Sequence, residues 1–116
     1  MQERRQNVRV RPTAEYGIVI DLGTGLVKTR LAVIDIAVGG VGLEVEEQFV
    51  DMPAGTELRV GVTLPGVPRF ETVGIIRYTQ RRVGGRCGVH FNHLTHDQQA
   101  ALSRTVSELL ERGFSA

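Results

Sequence analysis

Two groups of side chains in this chain are of types that could act together on a ligand. The first is Arg4-Arg5-Gln6-Asn7-Val8-Arg9, where Arg5 and Arg9 stand four apart and Arg4 lies just ahead. The second is Asp35-Ile36-Ala37-Val38-Gly39-Gly40, which closes one apolar run (Leu31 to Ile34) and opens another (Val41 to Val45). Guanidinium groups grip phosphate, or the O6 and N7 edge of guanine, with two hydrogen bonds at once. A carboxylate can accept from the N1 and N2 donors of guanine, which adenine does not offer. Glycines let backbone approach a ligand closely. Each group also has a plain reading. A charged N-terminal tail is usually just solvated, and Asp with Gly-Gly makes an ordinary strand-to-strand corner. The pairing changes that balance, because arginines on an arm can close over a ligand seated on a rigid turn and order as it binds.

Other candidates carry less. Asp21-Leu22-Gly23-Thr24-Gly25, followed by Lys28, looks like the first phosphate loop of the actin and sugar-kinase ATPases. Those folds are several times longer and need a second phosphate loop, so a hairpin turn is the reading here. His90, His93 and His96 follow Cys87 at spacings of three, which could hint at a metal. They span a strand end, a loop and a helix start, so nothing makes them converge, and no metal site is expected. Glu44, Glu46, Glu47 and Asp51 read as a solvated loop, and no catalytic triad or acid pair is positioned by the sequence. No catalytic residues are assigned, and the chain is not expected to be an enzyme.

The elements that must position these groups fit one small domain. At 116 residues the chain is long enough for a core but too short for two domains. A net charge of +1 advertises neither nucleic acid nor an anionic membrane, yet of the 14 basic residues only Lys28 is lysine. With two Tyr and four Phe and none clustered on one strand, a stacking platform for single-stranded nucleic acid is poorly supported. The lone Cys87 rules out an internal disulfide and suits a reducing cytoplasm. No apolar run reaches membrane-spanning length, so no direct membrane insertion is expected.

Residues 1–11 read as a mobile arm, extended near Val8 to Arg11 and ended by Pro12. Strands are expected at Tyr16 to Leu22, Leu26 to Ile34, Val41 to Val45, Glu57 to Leu64, Phe70 to Gln80 (around Val73, Ile75 and Tyr78) and Cys87 to Asn92. Glu57 to Leu64 is the cleanest, with Leu58, Val60, Val62 and Leu64 alternating against polar or small residues. Thr95 and Gln98 fit a capping box, Leu102, Val106, Leu109 and Leu110 form an apolar stripe, and Gly113 supplies a stop. Mainly β, with six strands and a C-terminal helix over 95–112, this is a β-barrel spanning 12–116 with a terminal helix packed on it.

Arg-x-x-x-Arg near the start and Asp-x-Ala-x-x-Gly some thirty residues on resemble the two signatures of PilZ domains, a family of small bacterial β-barrels that bind cyclic diguanylate (c-di-GMP). The likeness continues through Gly40-Val41-Gly42-Leu43, Val73-Gly74-Ile75-Ile76-Arg77 and Cys87-Gly88-Val89-His90-Phe91. It thus covers nearly the whole chain, with only the two short motifs specific. The resemblance implies a six-stranded antiparallel barrel, a second-messenger receptor without cofactor, and a ligand held by Arg4, Arg5, Arg9, Asp35, Ala37, Gly39 and Gly40. It further implies an unidentified protein partner or additional domain, with motility, exopolysaccharide or biofilm as the output. The terminal helix looks somewhat like the C-terminal module of flagellar brake proteins. Where the family has Ser this chain has Ala37, which removes one neutral hydrogen bond worth roughly 0.5–1.5 kcal/mol, about tenfold in affinity at most. The alternative that Ala37 supports is a degenerate barrel acting only as an interaction module.

Overall fold

The structure, a computed structural model, describes residues 8–24 and 27–115. Seven antiparallel strands follow one another along the chain: β1 Val19–Thr24, β2 Val27–Leu31, β3 Val33–Ala37, β4 Gly40–Glu44, β5 Glu57–Leu64, β6 Val67–Thr79 and β7 Arg86–Asn92. A helix, α1 (His96–Glu111), ends the domain. The strands form one sheet in the order β2-β1-β5-β6-β7-β4-β3.

The expected count of six strands becomes seven because the long run from Leu26 to Ile34 is divided at Ala32. Its first half pairs with β1 and its second half with β4. At the break the Ala32 carbonyl accepts from the Glu44 amide at 2.9 Å, so the backbone changes partner there. The ladder is therefore not continuous around the barrel. A second correction lies upstream, where a strand is expected from Tyr16. Ala14–Tyr16 instead forms a 3₁₀ turn, and Gly17 leaves it with φ at +89°, a conformation open to glycine, so β1 begins only at Val19.

Strict alternation in β5 reads out as burial. Leu58, Val60, Val62 and Leu64 enter the core, where each fully buried side chain of this size stabilises by about 1.5–3 kcal/mol. They meet Ile20 and Leu22 of β1, Ile76 of β6 and Val89 and Phe91 of β7 within one apolar cluster.

The Thr95 hydroxyl accepts from the Gln98 amide at 3.1 Å and the Gln98 side chain accepts from the Thr95 amide at 3.0 Å, which completes the capping box. Leu102, Val106 and Leu109 are buried as the stripe predicts, but Leu110 is 39% exposed and Ala101 takes the inward position. At the other end the Gly113 amide donates to Leu110 and the Phe114 amide to Leu109, with Gly113 at φ +85°.

Candidate ligand-binding site

Strand register assembles the site. Asp35 on β3 lies opposite Gly42 on β4, Gly42 opposite Gly88 on β7, and Gly88 opposite Tyr78 on β6. The next row runs from Ala37 through Gly40 to His90 and Ile75. Two irregularities aim these rows. The register shifts between Val33 and Asp35, and again between Ile76 and Tyr78, where the extra residue is Arg77. Ile76 stays in the core, and the bulge turns both Arg77 and Tyr78 to the outside, which simple alternation forbids.

Asp35 points outward and is nevertheless only 4% exposed, because two guanidinium groups cover it. Arg9 Nη1 donates to Asp35 Oδ1 at 2.6 Å. Arg86 Nη2 lies 2.9 Å from Oδ1 and 2.7 Å from Oδ2, so one guanidinium nitrogen reaches both carboxylate oxygens. Arg86 Nε also donates to the Tyr78 hydroxyl. Burial of the Arg86 guanidinium acts against its charge, but the bonds to Tyr78 and Asp35 outweigh it and leave its pKa raised. The site thus carries two cations around one anion, with Arg77 exposed beside them.

Beside Asp35 opens a cleft of about 390 Å³, lined by Arg9, Ala37, Gly39, Gly40, Arg77 and Tyr78 together with Gly88 to His90 of β7. That size lies within the ordinary range for small-molecule sites. Of the residues singled out from the sequence, Arg9, Ala37, Gly39 and Gly40 line the cleft, and Asp35 joins them through its bond to Arg9. Arg4 and Arg5 lie outside the described residues. Gly40 has a stronger reason to be glycine than access for a ligand: a Cβ there would fall against the Val89 carbonyl oxygen of β7, closer than real Cβ contacts allow.

Sequence reasoning missed Arg86, Tyr78 and Arg77. Arg86 stands 51 residues from Asp35, and no local spacing connects them. A larger hollow of about 530 Å³ lies near the start of α1 between Glu57, Arg59, Glu71 and His93. It holds none of the motif residues, and Glu71 is already bonded to Lys28, Arg59 and Arg69. Among the described residues no three His, Cys, Asp or Glu side chains come together as a metal site. Cys87 faces the core, where burial pushes its thiol pKa up despite the Thr79 hydroxyl. No helix among the described residues is long and apolar enough to cross a membrane.

No curated protein matches the sequence significantly. Among solved structures, the PilZ domain of YcgR from Escherichia coli with c-di-GMP is similar with a TM-score of 0.74 at 15% identity, covering 95% of this chain and 94% of that one. The Bacillus subtilis inhibitor of motility MotI gives 0.71 at 19% identity, and the MrkH–c-di-GMP complex of K. pneumonia gives 0.73 at 15%. These two are matched over 95% and 90% of this chain but only 51% and 52% of their own length, so the chain spans about half of each. At such identities the likeness is one of fold: a mainly β antiparallel domain with a C-terminal helix. The PilZ domain model matches residues 3–108, and with that match over nearly its whole length the chain belongs to the PilZ domain family.

Proposed function

We propose that this protein is a receptor for cyclic diguanylate and binds it in the cleft beside Asp35. The observation that carries the reading is the Asp35 carboxylate, bonded to Arg86 and to Arg9, the second of which lines the cleft, in a PilZ fold. A carboxylate there would accept from guanine N1 and N2, and the surrounding guanidinium groups would neutralise the phosphates. YcgR and MrkH, both similar in fold, are described in complex with c-di-GMP, which supports the same ligand class here.

The part of the 1–11 arm ahead of Val10 acts as the clamp in this reading, with Val10, buried and paired to Ile36, as its fixed end. Arg9 leaves Asp35 for the ligand, Arg4 and Arg5 close over it, and the new position of the segment is what a protein partner or an attached domain senses. The output would be motility, exopolysaccharide or biofilm. Such a switch requires the ligand to favour the closed arrangement over the open one. The role is reception rather than catalysis, and it calls for no cofactor. A second reading, a barrel that serves only as an interaction module, is favoured by Ala37 and by the Arg9–Asp35 bond that already occupies the acid.

Calorimetric titration of cyclic diguanylate into the chain tests the first reading, run beside Asp35→Ala and Arg9→Ala. Micromolar or tighter binding that Asp35→Ala abolishes is the expected result. No heat and no chemical-shift change at saturating ligand would leave the interaction module.

A further inference from the structure

We propose that Arg86 is the positioning residue for guanine recognition: it holds the Asp35 carboxylate in one orientation, and Tyr78 in turn holds Arg86. The inference rests on the reading of the cleft as a cyclic diguanylate site and concerns a residue outside both sequence motifs.

The sheet is cleared to make this arrangement possible. In the row Asp35-Gly42-Gly88-Tyr78 the two central positions are glycines. A Cβ on Gly42 would lie 2.6 Å from both Arg86 Nη2 and Asp35 Oδ1, and a Cβ on Gly88 would run into the Tyr78 ring. The space normally filled by two side chains is instead occupied by the Arg86 guanidinium and the Tyr78 ring. Arg86 thereby donates to two acceptors, the Tyr78 hydroxyl and Asp35 Oδ1, and lies in ion-pair contact with Oδ2. Its side chain is 27% exposed, against 41% for Arg9, which touches Asp35 through one contact.

Counting acceptor positions shows which arginine stays. An ionised carboxylate has about four lone-pair positions. Arg86 and Arg9 both donate to Oδ1, and Arg86 also lies 2.7 Å from Oδ2 as an ion-pair contact. The Watson–Crick edge of guanine presents two parallel donors, N1–H and N2–H, which need one free position on each oxygen. Oδ1 is already filled by two arginines, so one must leave it to admit guanine. Arg9, held by that single contact, is displaced and becomes free to meet a phosphate, while Arg86 is also held by Tyr78 and by Oδ2. Arg86 remains as the fixed counter-charge that sets the plane of the carboxylate. With that plane set, both guanine donors are met at once. A carboxylate free to rotate loses most of the benefit of the second donor.

The test compares cyclic diguanylate with cyclic di-inosinate, which has the same phosphates, O6, N7 and N1–H but lacks the exocyclic N2 amine. Affinities for both are measured on the wild-type chain, Arg86→Lys, Arg86→Gln and Tyr78→Phe, with thermal melting as a check on folding. The wild type should prefer the guanine ligand by about tenfold or more, the worth of one hydrogen bond to a charged acceptor. Arg86→Lys and Arg86→Gln should bring that ratio close to one, and Tyr78→Phe should fall between. Partial unfolding would weaken both ligands alike and leave the ratio unchanged. A ratio that survives both Arg86 substitutions overturns the proposal. A wild type that binds neither ligand overturns the reading of the cleft itself, and the proposal with it.

Discussion

Val10 and Ile36 exchange two backbone hydrogen bonds, each 2.9 Å long, across the outer edge of β3. The same stretch is held from the other side, where Val10 bridges Ser115 and the Arg11 amide donates to the Phe114 carbonyl at 2.8 Å. Val10 is completely buried, so its side chain anchors the segment in the core one residue after Arg9. The distance between Arg9 and Asp35 is thus set by a neighbour that contacts no ligand. Val10→Ala should destabilise the fold by about 2 kcal/mol, the scale of removing buried methyl groups, and should weaken cyclic diguanylate binding. Chemical denaturation and calorimetry at a temperature where the variant remains folded separate the two effects.

Gly40 and Gly42 sit two residues apart on one strand and should fail in different ways. The space beside Gly40 belongs to the backbone of β7, which cannot move without breaking the ladder. Gly40→Ala should therefore lower the melting temperature, by roughly 1–3 kcal/mol of overpacking. The space beside Gly42 belongs to the ends of the Arg86 and Asp35 side chains, which can swing away. Gly42→Ala should leave melting nearly unchanged and abolish ligand binding. Equal losses of stability in the two variants would contradict this division.

Ala37 is buried at the wall of the cleft. Restoring a hydroxyl there with Ala37→Ser should strengthen cyclic diguanylate binding by up to about tenfold, the value of one neutral hydrogen bond. Titration of the two proteins side by side gives the answer. Weaker binding by the Ala37→Ser variant would mean that the methyl group is packed too closely for an added oxygen.

Across the sheet, hydrogen bonds from Arg59, Arg69 and Lys28 hold the pKa of Glu71 down to about 2, from an ordinary 4.5. A carboxylate whose pKa is lower folded than unfolded stabilises the fold above its unfolded pKa. That contribution is lost as pH falls from about 4.5 through about 2. Glu71→Gln should therefore melt at a lower temperature than the wild type at neutral pH, and the gap should narrow over that acid window. High salt should narrow it too, because the group is near the surface. A gap that stays constant with pH would remove the ion pairs as its cause.

Much of this protein is legible one segment at a time. Leu58, Val60, Val62 and Leu64 alternate because one face of β5 is core and the other is not, and the alternation needs no knowledge of neighbours. Thr95 and Gln98 cap α1 through contacts three residues apart. The Asp35 to Gly40 turn likewise carries its signature within six residues. Information of this kind is local, and local physics writes it into adjacent positions. What only the tertiary structure decided depends on register between strands distant in sequence. Tyr16 reads as strand until Gly17 closes a turn, and Tyr78 faces outward only because the bulge at Arg77 interrupts the alternation of β6. Arg86 reaches Asp35 because β4 lies between β3 and β7 with glycines at the two crossing points. No pattern in the chain announces that crossing, since each glycine is informative only once its partner across the sheet is known.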